Sequence, residues 1–144
     1  MNNLFKIIPF LLFCFVVNFA QAQEIFGNWE MTNDEGRVNC IIKIFSKQDG
    51  EVCGKVHRIV KEKHRDRICK NCEGEKKNKP IEGLELIYGL HKDGKEYSGG
   101  ELINPKSGKV YKCKIWLDED NPNKLKVRGY VAFFYKTMTW NRQQ

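Results

Sequence analysis

Apolar and polar residues alternate along most of the chain after residue 26, with the period of two that is typical of half-buried β-strands. No segment sustains the 3.6-residue period of an amphipathic helix. The alternation predicts eight strands, at residues 27–32, 38–44, 52–56, 84–90, 96–103, 111–117, 125–131 and 137–142. Connections rich in Asp, Asn, Gly and Ser, such as 33–36 and 104–108, separate the strands and are strong turn signals.

Eight short antiparallel strands joined mostly by tight turns predict an all-β fold. We expect a small eight-stranded antiparallel up-and-down barrel, because closing the sheet removes its exposed edges. Such a barrel encloses either side chains or one small ligand. Gly54 and Gly129 lie at inward positions, where glycine fits sharply coiled strands. A two-sheet β-sandwich is the alternative architecture.

The first 22 residues have the pattern of a secretory signal peptide. A short start with Lys6 precedes an apolar run from Ile7 to Ala20, and Ala20-Gln21-Ala22 places small residues at a cleavage site. The run is too short for a comfortable membrane span. Cleavage after Ala22 would leave residues 23–144 as a single secreted or periplasmic domain without a transmembrane segment. An uncleaved membrane anchor is the alternative.

Positive charge is concentrated in one part of the chain. The whole sequence has 25 Lys and Arg against 18 Asp and Glu, a formal net charge of +7. Residues 55–79 alone hold ten basic and four acidic residues, which is the whole excess of the chain after residue 22. Residues 60–80, which have no strand pattern, are called the basic loop. Its basic residues are Lys61, Lys63, Arg65, Arg67, Lys70, Lys76, Lys77 and Lys79.

The basic loop predicts a docking surface for polyanions such as lipid headgroups or acidic envelope polymers. The alternative is a solvated loop without a dedicated partner. Nucleic acid is not the expected partner, because no aromatic residues are interspersed with these charges to stack on bases.

Cys69-Lys70-Asn71-Cys72 lies within the basic loop and allows three interpretations. An oxidising compartment favours a local disulfide that holds the long loop in place. Zinc would need two further ligands, and the near candidates are His57, His64 and Cys53, at a spacing that matches no common zinc finger. Redox catalysis would need a strand-then-helix context that the sequence does not indicate.

Five cysteines follow residue 22, so at least one of them has no partner for an intramolecular disulfide. Cys40 and Cys113 alternate with inward-facing residues and are expected to be buried thiols or to pair across the barrel. Cys53 is expected on the outer face of its strand. In the fourth strand, the alternation places Leu84, Leu86, Tyr88 and Leu90 on the inner face.

Catalytic motifs are not apparent. The sequence has no Gly-x-Ser-x-Gly, and its three histidines have no nucleophile motif near them. We therefore expect a non-enzymatic binding or envelope-accessory protein without a cofactor. Its ligand would be a small apolar or amphiphilic molecule in the barrel mouth, or an anionic envelope surface. The alternatives are a protein-interaction module that uses the basic loop, and a zinc or redox protein centred on Cys69 and Cys72.

Several segments resemble a known family. They are Gly27-Asn28-Trp29, Leu125-Lys126-Val127-Arg128-Gly129-Tyr130, Thr137-Met138-Thr139-Trp140-Asn141-Arg142, and the central Gly99-Gly100-Glu101-Leu102-Ile103-Asn104-Pro105-Lys106-Ser107-Gly108-Lys109-Val110-Tyr111-Lys112-Cys113. Together they resemble the exported bacterial family DUF2147, which implies a lipocalin-like, calycin-type barrel without an assigned activity. Many members have Gly-Arg-Thr where this chain has Tyr135-Lys136-Thr137, and a lysine lacks the planar fork of an arginine.

The opening Gly27-Asn28-Trp29 is also similar to lipocalins in general. In that group an early tryptophan closes one barrel end, and an arginine from the last strand lies across it. The resemblance implies that Trp29 and Arg142 form this pair here, through a cation–π contact with a structural role.

Overall fold

A computed structural model describes residues 24–144. The predicted signal peptide and its cleavage site lie outside the described residues. The strands are β1 (Gly27–Thr32), β2 (Val38–Ser46), β3 (Val52–Ile59), β4 (Glu85–Asp93), β5 (Glu96–Ile103), β6 (Val110–Leu117), β7 (Lys124–Val131) and β8 (Phe134–Arg142). Two single 3₁₀ turns, η1 (Glu62–His64) and η2 (Gly74–Lys76), lie in the basic loop. Within residues 24–144, no helix is long and apolar enough to cross a membrane.

Each strand pairs antiparallel with the next one, and β8 pairs with β1, so that the sheet closes into a barrel. The closing seam joins Trp29 to Arg142 and Glu30 to Asn141. The predicted all-β up-and-down barrel is therefore confirmed, and the alternative β-sandwich is wrong. Residues 24–144 supply all eight strands of this closed sheet.

Up-and-down connectivity distinguishes the two ends of the barrel. The connections β1–β2, β3–β4, β5–β6 and β7–β8 lie at one end, which we call the open end. The basic loop is the β3–β4 connection and belongs to this end. The other connections and the start of β1 lie at the closed end. Bulky side chains fill the interior near the closed end and are fully buried, among them Trp29, Ile42, Ile44, Leu90, Ile115, Leu125 and Val127.

Trp29 and Arg142 meet at the closed end. The Arg142 guanidinium lies 4.3 Å from the centre of the Trp29 ring. It also donates hydrogen bonds to the backbone carbonyls of Glu24 (2.9 Å), Phe26 (3.2 Å) and Pro122 (3.3 Å). The Trp29 indole donates to the carbonyl of Ile25 at 2.8 Å. These contacts tie the start of the described chain, the last strand and the β6–β7 connection together.

The inner face of β4 differs from the simple alternation. Ile87 pairs with Gly54 and Leu90 pairs with Val52, and both β4 side chains face inward. Three steps along β4 match two steps along β3, so β4 has one extra residue between these two pairs. Tyr88, which the pattern places inside, instead lies on the outer face with the Lys76 ammonium 3.7 Å from its ring centre. The β-bulge at Gly89, whose φ is +73°, shifts the alternation by one residue.

Cys53 is on the outer side of β3 as expected, yet it is completely buried. Its thiol donates a hydrogen bond to the Glu51 carboxylate at 3.4 Å, and the same carboxylate accepts one from the Gly89 amide of the bulge at 2.7 Å. The Gly89 hydrogen bond lowers the pKa of Glu51. The Glu51 carboxylate thus links this outward cysteine to the bulge, a tertiary arrangement that alternation cannot reveal.

Replacing the closing arginine tests how far the seam depends on it. Arg142→Ala removes the ring contact and three hydrogen bonds from a charged donor, so we expect the free energy of unfolding to fall by about 2–3 kcal/mol in urea titrations followed by circular dichroism. Arg128→Ala is the matched control. Its guanidinium also lies over a tryptophan, Trp116, at 5.0 Å, but it bonds a threonine hydroxyl and no backbone carbonyl in the described chain. Equal losses in the two variants would show that Arg142 has no special role in closure.

Candidate functional site

The open half of the barrel interior holds a cavity of about 500 Å³. This volume is within the range of small-molecule sites in proteins. The cavity is lined mainly by apolar side chains, and Lys136 is the charged residue of its lining. The apolar lining includes Met31, Leu86, Leu102, Tyr111, Met138 and Trp140.

Inward-facing glycines show why space remains only in this half. A Cβ at Gly100 would approach the Leu90 side chain to 2.7 Å, and one at Gly54 would approach Ile44 to 2.9 Å. These two glycines are therefore needed for close packing. A Cβ at Gly129 would meet its nearest neighbours, Tyr111 and Leu102, at 3.7 and 3.9 Å, which is ordinary contact. Gly129 thus forms part of a cavity wall rather than a packed layer.

Trp140 marks the boundary between the packed and the hollow halves. It is 2% exposed, pairs with Leu125 across the sheet and contributes to the cavity lining. Its indole N–H is buried and has no hydrogen-bond partner among the described residues. Buried donors are nearly always paired, so this unpaired N–H is an exception among the buried groups of the barrel.

A second cleft, of about 800 Å³, lies between the basic loop and the barrel rim. Met31, Leu86 and Pro105 line both this cleft and the cavity, so the two spaces adjoin. Basic side chains dominate the charged lining of the cleft, although Asp66 also lies there. They are Arg67, Lys70, Lys106 and the imidazole of His64.

The basic loop has a defined internal structure. Ile68 and Pro80 form an antiparallel bridge, and Cys69 exchanges backbone hydrogen bonds with Lys79 and Asn78 at 2.8 and 2.9 Å. Cys69 and Cys72 form a disulfide, as predicted. Because this disulfide closes a ring only three residues apart in sequence, it stiffens a local turn and does not hold the whole loop.

Contacts with the β5–β6 connection hold the loop against the barrel. The Asn71 side chain donates to the carbonyl of Lys106 at 2.8 Å, and the Cys69 sulfur lies 3.4 Å from the carbonyl oxygen of Pro105. A Cβ at Gly108 would overlap the Asn71 carbonyl. Gly108 also has a φ of +74°, so both backbone conformation and close approach require glycine there.

The structure separates the predicted basic residues into two groups. Arg65 and Lys76 are half-buried: Arg65 donates to the carbonyl of Ile59 at 2.9 Å, and Lys76 lies over Tyr88 on the side of the barrel. Desolvation lowers the pKa of Lys76. The other predicted cations are exposed at the open end, namely Lys61, Lys63, Arg67, Lys70, Lys77 and Lys79.

The histidines do not join the cysteines. His57 is exposed on β3, and His64 is half-exposed in η1. Desolvation and then the charges of Arg67 and Lys63 lower the pKa of His64, which favours its neutral form. Within the described residues, no three side chains that could ligate a metal gather, and both sulfurs of the Cys-x-x-Cys motif are bonded to each other. The zinc alternative thus loses its two thiolate ligands.

The remaining three described cysteines are free, buried thiols. Burial raises the pKa of Cys40 and Cys113 to about 12. Burial, with the hydrogen bond to Glu51, raises that of Cys53 to about 11. Cys40 lines the larger cleft, but a thiol with this pKa is a poor nucleophile.

Family comparison identifies the class of protein to which the chain belongs. Residues 27–142 match the model of DUF2147, described as "Uncharacterized protein conserved in bacteria". The chain therefore belongs to the DUF2147 family, and its fold is a lipocalin-like barrel.

A solved structure shows the same fold. It is protein HP1028 from the human pathogen Helicobacter pylori, described as belonging to the lipocalin family. The two chains superpose with a TM-score of 0.70 over 84% of each, at 18% sequence identity. A search of curated proteins finds no match.

Several residues of the open end were not predicted from the sequence as site residues. Leu102, Tyr111 and Met138 face inward by simple alternation, but the alternation does not show that the interior beside them is hollow. The exposed aromatic residues of the β7–β8 hairpin were also missed, although four apolar residues follow Val131 without interruption. That run is a signal visible in the sequence itself.

Gly108→Ala tests whether the β5–β6 connection positions the basic loop. The alanine would force Asn71 away, so we expect about 1–3 kcal/mol of stability to be lost beyond the backbone cost, and faster tryptic cleavage within residues 60–80. Gly99→Ala is the matched control, because its φ of +76° carries a similar backbone cost while nothing lies within 4 Å of its Cβ. Equal tryptic rates in the two variants would contradict the proposed docking of the loop.

Thiol titration tests the cysteine assignments in a chain that starts at residue 23. Because burial holds Cys40, Cys53 and Cys113 in the protonated form until pH 11–12, native protein at pH 8 should react with a disulfide reagent at least about a hundredfold more slowly than an exposed cysteine. In urea three thiols should react, and five after reduction. Five reactive thiols in urea without reduction would exclude the disulfide, and one reactive thiol would indicate a second disulfide.

Proposed function

We propose that the protein binds a small anionic amphiphile at its open end, without chemical conversion of the ligand. The observation that carries this proposal is the side-by-side position of an apolar cavity and a basic cleft. An alkyl chain in the cavity would be removed from water, while an anionic headgroup would lie near Arg67, Lys70 and Lys136. Binding sites of this kind combine an apolar lining with a few polar groups that fix orientation.

Two further observations support a binding role rather than catalysis. The indole N–H of Trp140 is an unused donor beside the cavity, suited to an ether, ester or carboxylate oxygen of a ligand. The free cysteines have raised pKa values and hold few thiolates near neutral pH. Neither feature activates a nucleophile.

We also propose that the protein acts outside the cytoplasm. The Cys69–Cys72 disulfide is typical of an oxidising compartment, and residues 1–22 have the pattern of an export signal. The ligand would then be a component or product of the cell envelope. The sequence pattern carries this part of the proposal, and N-terminal sequencing of the protein from its host would test it.

Filling the cavity provides the direct test. Gly129→Leu places a large apolar side chain in the cavity wall, so binding of decanoate should weaken by about tenfold or more while stability stays the same or rises. Gly129→Ala is the matched control and should bind decanoate as the unaltered protein does. Binding is followed by tryptophan emission in a Trp116→Phe background, which retains Trp140 beside the cavity and Trp29 at the closed end, with calorimetry as a second readout.

The charged part of the site is tested with a ligand of the same chain length. Arg67→Gln with Lys70→Gln should weaken decanoate binding and leave decanol binding unchanged, because only the carboxylate meets these cations. Equal effects on both ligands would contradict the assignment of the headgroup to the basic cleft. If the unaltered protein binds neither ligand, or if Gly129→Leu binds decanoate normally, the cavity is not the site.

A further inference from the structure

Exposed apolar side chains gather at the tip of the β7–β8 hairpin, at the open end. Phe133 is 98% exposed, Phe134 78%, Tyr135 61% and Val131 53%. Monomeric soluble proteins seldom expose such consecutive large apolar residues, and patches of this kind commonly mark interaction sites. The tip of the β7–β8 hairpin is therefore a candidate interaction surface, and it adjoins the cavity, whose lining includes Val131, Phe134 and Tyr135.

The geometry of the turn does not require these residues. Ala132 has a φ of +49°, a left-handed conformation in which glycine, asparagine or aspartate is less strained. The next residue is Phe133, whose ring lies almost entirely in solvent. Local folding energetics thus disfavour this apolar tip, so its presence points to a role beyond the stability of the barrel.

The base of the hairpin is held firmly, which fixes the position of its tip. The Arg128 guanidinium lies 4.2 Å from the Tyr135 ring centre, and Arg128 donates to the Thr137 hydroxyl at 2.8 Å. Tyr130 and Tyr135 are 6.1 Å apart between ring centres. Phe133 and Phe134 therefore extend from a supported base.

Exposed cations share the open end of the barrel with the aromatic tip. Lys136 follows it on β8, while Lys106 and Lys70 line the adjoining cleft across Pro105. Exposed aromatic rings together with lysines at one end of the barrel match the two layers of a bilayer interface, where anionic headgroups lie outside and acyl chains inside. A projecting tip also needs no complementary groove, whereas docking on another protein would.

We propose that the open end docks on a lipid bilayer with anionic headgroups. Phe133 and Phe134 insert into the interface between headgroups and acyl chains, and the exposed cations of the basic loop and Lys136 contact the headgroups. In this orientation the cavity opens toward the bilayer, so that an amphiphile can pass between membrane and barrel. This last step rests on the proposed function, but the docking itself does not.

Vesicle flotation tests the docking with a chain that starts at residue 23. The protein should float with vesicles of equimolar phosphatidylcholine and phosphatidylglycerol and remain free with phosphatidylcholine alone. Phe133→Ser with Phe134→Ser should reduce the partition coefficient by about tenfold or more. Both rings are exposed, so circular dichroism should show unchanged folding.

The charge contribution has a matched control at the opposite end. Lys70→Glu with Lys106→Glu should weaken partitioning by about tenfold or more, since cations near an anionic surface each add attraction. Lys92→Glu with Lys95→Glu makes the same change of net charge at the exposed β4–β5 connection of the closed end and should leave partitioning nearly unchanged. Equal losses would indicate attraction by overall charge and overturn the proposed orientation.

The insertion of the tip has its own readout. Phe133→Trp should give a blue-shifted emission with the anionic vesicles, and brominated acyl chains should quench it. An unshifted emission, or full partitioning of the double serine variant, would overturn the proposal. Failure of the unaltered protein to float, together with a dimer that the double serine variant converts to monomer, would assign the hairpin to self-association instead.

The proposed membrane docking and the proposed binding of an amphiphile in the cavity can be contradicted independently of each other. Gly129→Leu fills the cavity and leaves Phe133 and Phe134 in place, so it should partition onto vesicles as the unaltered protein does. Loss of flotation with normal decanoate binding would overturn only the docking. Normal flotation with no decanoate binding would overturn only the proposed function.

Discussion

The barrel depends on the closure of β1 onto β8, and this seam is short. Two residue pairs join β1 to β8, whereas eight join β7 to β8. An unsealed seam would leave two exposed strand edges, which is a general route to aggregation. Arg142 lies on the seam and binds groups on both sides of it, so one side chain reinforces the few ladder hydrogen bonds. Its planar, multidentate guanidinium allows one stacked face and three carbonyl contacts at once, which an ammonium group cannot provide.

Tight packing at the closed end of the barrel allows the open end to contain a cavity. Trp29 fills the closed end, and Gly54 and Gly100 allow neighbouring side chains to pack tightly around the interior. The packed half can thus stabilise the sheet without help from the open half. The open half then tolerates a hollow interior beside Gly129, because the cost of unfilled space is offset elsewhere in the same closed sheet. Tight packing and free interior volume are therefore separated along the barrel axis.

Alternation predicted the strands and the closed fold because both depend on local pattern and on the general need to pair strand edges. It assigned Tyr88 to the wrong face, because the bulge at Gly89 depends on a hydrogen bond to Glu51 in the β2–β3 connection. It also placed Cys53 on the outer side without showing that tertiary contacts bury it. The contact between Gly108 and Asn71 joins segments 37 positions apart in sequence, and no periodicity carries such information. The hollow near Gly129 likewise depends on the volumes of residues from several strands.

The topology itself carries information that residue patterns do not. In an up-and-down barrel every second connection lies at the same end, so the basic loop, the β5–β6 connection and the β7–β8 hairpin are neighbours whatever their sequences are. The positive charge, the loop-holding Gly108 and the exposed aromatic tip are dispersed along the chain and yet share one rim. The net charge of the sequence is thus better understood as a property of one end of the molecule. If the positive charge acts from one end, reversing charges at that end alone should abolish the attraction to an anionic surface. If the charge acted as a property of the whole barrel, reversal at either end would have the same effect.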